Sequence, residues 1–149
     1  MSNLDHQISA HPRLLLCDDS ALERRALGQF LRTSGFNVDE AFDGNSAILH
    51  MKNHPVDLIL LDLNMPGSDG FSVLGYMQRH RRSLPVILLS GMPLSKIQNK
   101  MHGLPMPELP PLLIKPIDTE QLLGLVELQL SGELLGEPPM PDAAGPAPP

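Results

Sequence analysis

Five polar residues that lie far apart in the sequence could together carry out phosphoryl chemistry. They are Asp18, Asp19, Asp62, Ser90 and Lys115. Carboxylates a few ångströms apart repel one another unless a cation lies among them, and hard oxygen ligands favour Mg²⁺. A carboxylate such as Asp62 can attack phosphorus, while Lys115 and the Ser90 hydroxyl can stabilise the charge on phosphoryl oxygens.

Each of these residues follows or ends a short apolar run that is typical of a buried strand. Such runs start near five positions, and a helical pattern follows each of them: Leu14, Phe36, Leu58, Val86 and Leu112. Strands buried on both faces of a parallel sheet are apolar throughout, so the alternation predicts a doubly wound α/β domain with a five-stranded parallel sheet. Because ligands bind at the carboxyl ends of such strands, we expect the polar residues to share one pocket.

Polar residues also predict where the helices start and end. Ser20 followed by Glu23 has the form of a capping box, which predicts a helix from there to Gly35. Asp43 and Asp118 are expected to cap the second and the last helix.

Composition limits the class of protein and the partners. The chain has 149 residues with 11 basic and 17 acidic side chains, a net charge of −6, which disfavours nucleic acid as a partner. No apolar run approaches the roughly 20 residues that span a bilayer, so we expect a cytoplasmic protein without a membrane partner. The pattern predicts a flexible N-terminus over 1–11, one folded domain over 12–130 and a disordered proline-rich tail over 131–149.

Together these motifs resemble the receiver domain of two-component response regulators. The resemblance rests on Asp18-Asp19-Ser20, Leu61–Gly70, Ser90-Gly91 and Lys115-Pro116, and it covers about 12–130. It implies a flavodoxin-like strand order of 2-1-3-4-5 and a Mg²⁺ cofactor. Asp62 would be both the phosphoacceptor and a metal ligand. Asp18 and Asp19 would be the other Mg²⁺ carboxylates, with Asp19 the direct ligand.

The resemblance also assigns roles to the remaining motif residues. The backbone carbonyl of Asn64 would complete the metal ligands. Ser90 and Lys115 would contact phosphoryl oxygens, and the small Gly91 would leave the path of the phosphoryl group open. Pro116 would follow a cis peptide bond, a geometry largely confined to proline.

In function, the resemblance implies a response regulator in a phosphorelay. Asp62 would accept a phosphoryl group from a histidine kinase or a histidine phosphotransfer protein, and this would switch binding to a downstream protein. The chain would catalyse only its own phosphorylation and dephosphorylation. We expect a stand-alone receiver, because the residues after the last helix are too few for an effector domain.

The sequence departs from the family pattern in two places. Leu112 stands where the family usually has an aromatic residue, and four prolines lie within 103–111. Because proline cannot lie in a helix interior, we expect a short fourth helix over 94–101, an irregular loop after it and an atypical output surface. These departures motivate an alternative, a receiver-like adaptor that works without phosphorylation. An aspartate-nucleophile phosphohydrolase is disfavoured, since Asn64 is a poor proton shuttle.

Overall fold

The structure is a computed structural model that describes residues 11–66, 69–102 and 109–131. Within these ranges strands and helices alternate along the chain. The strands are β1 (Arg13–Cys17), β2 (Asn37–Ala41), β3 (Leu58–Asp62), β4 (Val86–Ser90) and β5 (Leu112–Ile114). The helices are α1 (Ala21–Thr33), α2 (Gly44–Asn53), α3 (Asp69–His80), α4 (Leu94–Met101) and α5 (Thr119–Leu130).

The five strands form one parallel sheet in the order β2-β1-β3-β4-β5, which confirms the predicted topology. The register aligns the strand ends: Asp62 pairs with Leu89, and Ser90 pairs with Ile114. Because parallel strands present their carboxyl ends to one edge of the sheet, the residues that end β3 and β4 and those that follow β1 and β5 are brought together there.

Helices cover both faces of the sheet, which explains why the inner strands are apolar throughout. Successive side chains of a strand point to opposite faces. Leu15 and Ile59 therefore pack in one apolar cluster with residues of α2, α3 and α4. Leu14 and Leu58 pack in a second cluster with residues of α1 and α5.

The helix ends follow the predicted caps. Asp43 forms a capping box with Ser46, and the Asp118 carboxylate accepts hydrogen bonds from two N–H groups in the first turn of α5. After α1, Gly35 has a φ of 104°, a left-handed conformation that glycine adopts without strain. The helix predicted over 94–101 is present as α4.

Several predictions fall on parts of the chain outside the described residues. The segment 103–108 holds most of the predicted irregular loop, and 1–10 and 132–149 hold nearly all of the predicted N-terminus and tail. Among the helices that the structure does describe, none has the length and apolar character needed to cross a membrane.

Candidate functional site

Asp62 ends the central strand β3, and its side chain is only 1% exposed. Its Oδ2 accepts a hydrogen bond from Lys115 Nζ over 2.7 Å. Its Oδ1 accepts one from the backbone N–H of Asn64, also over 2.7 Å. Both oxygens of this buried carboxylate are therefore held in defined positions, one by a cation and one by the loop after the strand.

Lys115 follows the edge strand β5, and its backbone N–H donates to the carbonyl of Ser90 over 2.8 Å. Its ammonium donates to Asp62 and also to Glu23 Oε1, over 2.8 Å. Burial lowers the pKa of Lys115, but the hydrogen bonds to Asp62 and Glu23 together with the negative charges of Asp62 and Asp18 outweigh burial, so that the pKa lies above its ordinary value. The amine is thus a stable cation in the site, and the Lys115-Pro116 peptide bond is cis, as predicted.

Asp18 follows β1 and is 2% exposed. Its pKa is raised from 3.8 to about 6, mainly by burial and in part by the nearby charge of Asp62, while the hydrogen bond from the Ser20 N–H and the charge of Lys115 partly offset the rise. Arg24 fixes the backbone here, because its Nη1 donates to the Asp18 carbonyl over 2.7 Å while its Nε donates to Glu40 over 3.0 Å. Asp18 is therefore held as a buried acid beside the candidate phosphoacceptor.

Three carboxylates converge in the part of the chain that the structure describes. One oxygen from each of Asp18, Glu23 and Asp62 lies within 4.8 Å of the others. A compact set of carboxylate oxygens fits a hard cation such as Mg²⁺. Asp19 is exposed and does not belong to this described cluster. The roles of Asp19 and of the Asn64 carbonyl as metal ligands stay predictions.

Glu23 is a site residue that sequence reasoning missed. The capping-box pattern predicts that its carboxylate bonds back to the Ser20 N–H. In the structure only half of this box forms: the Glu23 N–H donates to Ser20 Oγ over 3.2 Å, while the Ser20 N–H donates to Asp18 Oδ1 over 2.8 Å. The Glu23 carboxylate instead accepts from Lys115, a residue 92 positions away, and no local pattern signals that pairing.

Ser90 ends β4 and is fully buried. Its Oγ accepts a hydrogen bond from the Met92 N–H over 2.8 Å. A hydroxyl can donate one hydrogen bond while it accepts another, so Ser90 can still donate a hydrogen bond to an oxygen of a transferred group. The next N–H, that of Gly91, donates to Asn64 Oδ1 over 2.6 Å, and this bond joins the loops that follow β3 and β4.

A cavity of about 320 Å³ adjoins the site between α1 and the loop after β5. Its polar lining includes Asp18, Glu23 and Lys115. The other lining residues are mostly apolar: Ala26, Leu27, Leu89, Pro116, Ile117 and Thr119. The charged groups of the site therefore border a space that is large enough for a small molecule.

Comparison with known proteins identifies the class. The family described as "response regulator receiver domain" matches residues 14–127, and the chain belongs to this family. It is 40% identical over 78 residues to the transcriptional regulatory protein ResD of Bacillus subtilis, which covers 52% of this chain and 32% of ResD. It is 34% identical over 122 residues to the DNA-binding dual master transcriptional regulator RpaA of Synechocystis sp., which covers 80% of this chain and 49% of RpaA.

Solved structures share the fold. The response regulator TrrA of Thermotoga maritima, solved in complex with Mg²⁺ and BeF, superposes with a TM-score of 0.68 at 24% identity, covering 79% of this chain and 98% of TrrA. The curated relatives are longer, since the chain spans about half of RpaA and about a third of ResD. The chain thus has the receiver fold and matches part of each of these longer regulators.

Proposed function

We propose that the chain accepts a phosphoryl group on Asp62 from a histidine kinase or a histidine phosphotransfer protein, and that phosphorylation changes its affinity for a downstream protein. One observation carries this proposal: the buried Asp62 carboxylate is paired with Lys115 and lies beside Asp18. We also propose that the receiver acts in the cytoplasm.

In the proposed transfer, a carboxylate oxygen of Asp62 attacks the phosphorus of a phosphohistidine. The P–O bond forms as the P–N bond breaks, and the imidazole nitrogen keeps the electron pair and takes up a proton. An acyl phosphate results. A Mg²⁺ ion held by Asp62 with Asp18 would neutralise charge on the phosphoryl oxygens.

The protein's own donors complete the anion site. Lys115 has three N–H donors and can contact a phosphoryl oxygen, while Ser90 can donate to another. Water that attacks the phosphorus would release inorganic phosphate and restore the carboxylate. The chain's chemistry would be limited to Asp62, with no external metabolite turned over.

A second candidate function is an adaptor that binds its partner without phosphorylation. Leu112 favours it, because this residue stands at the position where the family pattern has an aromatic ring. The half-buried leucine packs against the apolar cluster on the α4 side of the sheet. An adaptor would capture the same partner whether or not Asp62 is modified.

The two candidates are separated by capture of a partner protein. The chain is loaded with Mg²⁺ and beryllofluoride, an analogue of the phosphoryl group, and used as bait beside the unloaded chain and Asp62→Asn. We expect a partner that binds only the loaded wild-type chain. A partner that binds all three baits equally would favour the adaptor and contradict the phosphorylation switch.

A further inference from the structure

Glu23 is the carboxylate of the acidic cluster to which the family resemblance assigns no role. It lies in the first turn of α1, and its side chain is 55% exposed. Its Oε1 lies 2.8 Å from Lys115 Nζ, nearly the distance of 2.7 Å that joins Nζ to Asp62 Oδ2. The Lys115 ammonium is therefore shared between the buried Asp62 and the solvent-facing Glu23.

This sharing affects how the site accepts an anion. One ammonium faces three carboxylates whose ligand atoms lie within 4.8 Å of one another. An acyl phosphate carries up to two negative charges in place of the one on Asp62. Lys115 has to turn toward the new oxygens, and its bond to Glu23 opposes that turn. The Glu23 charge also repels the incoming anion, whereas it attracts a cation.

We propose that Glu23 is a positioning residue that restrains phosphoryl acceptance by holding Lys115 and by placing a negative charge beside Asp62. The restraint rests on the proposed function of Asp62. It has two consequences of opposite sign: removal of the Glu23 charge weakens Mg²⁺ binding, and it strengthens binding of a phosphoryl-like anion once Mg²⁺ is saturating. If the Glu23 side chain only stabilised helix α1, its replacement would change neither affinity.

The test compares two charge-neutralising variants. Glu23→Gln keeps the length of the side chain and leaves the backbone bond to Ser20 in place. Glu120→Gln is the matched control, because Glu120 is an exposed acid in the first turn of α5 and belongs to neither the acidic cluster nor the Lys115 ion pairs. Mg²⁺ affinity is measured by calorimetry, and beryllofluoride affinity at saturating Mg²⁺ is measured by NMR titration.

For Glu23→Gln we expect the Kd for Mg²⁺ to rise about fivefold to tenfold and the half-saturating beryllofluoride concentration to fall by a similar factor, the effect of one nearby unit charge on a side chain that is more than half exposed to solvent. Glu120→Gln should match the wild type in both affinities. Equal Mg²⁺ affinities in the two variants, or a Glu23→Gln variant that binds beryllofluoride no more tightly than the wild type, would overturn the restraint.

Failure of the proposed function gives a different result. In that case the wild type and both variants would bind Mg²⁺ but none would bind beryllofluoride. This result would contradict the role of Asp62 as phosphoacceptor and, with it, the proposed role of Glu23. Beryllofluoride binding that is absent in the wild type and present in Glu23→Gln would support a strong restraint.

Discussion

The ammonium of Lys115 lies 2.7 Å from a carboxylate oxygen of Asp62, although 53 residues separate the two along the chain. Asp62 ends β3 and Lys115 follows β5, and strand β4 lies between these two strands. The contact therefore depends on the parallel register of three strands, and it gives a carboxylate with 1% exposure its countercharge.

Removal of that countercharge should weaken both stability and anion binding. Lys115→Ala leaves Asp62 buried and unpaired, and we expect a loss of about 1–3 kcal/mol in the free energy of unfolding, less than for a fully buried pair because Lys115 is partly exposed. Beryllofluoride binding should be lost as well. Urea unfolding and NMR titration measure the two effects, and Lys115→Arg, which keeps the charge, should recover part of the stability. Unchanged stability in Lys115→Ala would contradict the pairing.

The raised pKa of Asp18 predicts how stability depends on pH. The pKa rises from 3.8 to about 6 on folding, so the folded state holds the Asp18 proton more tightly than the unfolded state. Stability should therefore fall as pH rises between these values and stay level above them, as far as this group contributes. Asp18→Asn removes the charge that causes this loss of stability. The variant should therefore be more stable than the wild type by about 1–3 kcal/mol at pH 7 without Mg²⁺.

Urea unfolding in the presence of a chelator, at pH 5 and at pH 7, checks this prediction. The gain from Asp18→Asn should be smaller at pH 5 than at pH 7. A gain that is equal at both values would show that Asp18 has an ordinary pKa in the folded chain.

Mg²⁺ should stabilise the wild type through the same cluster. A ligand that binds only the folded state at 100 times its Kd adds about 2.7 kcal/mol. We expect a shift of this order in thermal or urea unfolding as Mg²⁺ is raised, and little shift in Asp62→Asn. A shift of equal size in the variant would place the cation away from Asp62.

The close packing around Gly70 predicts that a larger residue at this position would displace the backbone near Asp62. A Cβ at this position would lie 2.9 Å from the carbonyl oxygen of Asp62 and 3.0 Å from Leu63 Cδ2. Backbone must move to admit it, so Gly70→Ala should cost about 1–3 kcal/mol and weaken Mg²⁺ binding.

Gly124 provides the control for this helix-glycine substitution. It lies within α5, and an added Cβ meets nothing within 4 Å. Gly124→Ala should therefore stabilise the chain by about 0.5–1 kcal/mol without altering Mg²⁺ affinity. Equal effects of the two substitutions on unfolding would contradict the close approach at Gly70.

The fold was largely predictable because its signals are local. The runs near Leu58 and Val86 are apolar on both faces, which indicates a covered parallel sheet, and the position of Asp62 and Ser90 at their ends follows from that. The α4 helix was also predictable over 94–101, since the prolines beyond it forbid a longer one.

The finer geometry of the site was not predictable because it depends on competition between partners. Ser20 and Glu23 match a capping box, yet the Asp18 carboxylate takes the Ser20 N–H and the Lys115 ammonium takes Glu23. Likewise, nothing in the spacing of Asn64 and Gly91 indicates that the backbone N–H of Gly91 donates a hydrogen bond to the side-chain oxygen of Asn64. Such contacts follow from the packing of loops from different strands.

The most direct test of the account locates the phosphoryl group on the chain. The wild type and Asp62→Asn are incubated with Mg²⁺ and acetyl phosphate, reduced with borohydride, which converts a phosphorylated aspartate to homoserine, and digested for peptide mass spectrometry. We predict homoserine at position 62 in the wild type and at no aspartate in the variant. A wild-type chain that remains folded and binds Mg²⁺ but carries no homoserine at position 62 would contradict the assignment of Asp62 as the phosphoacceptor.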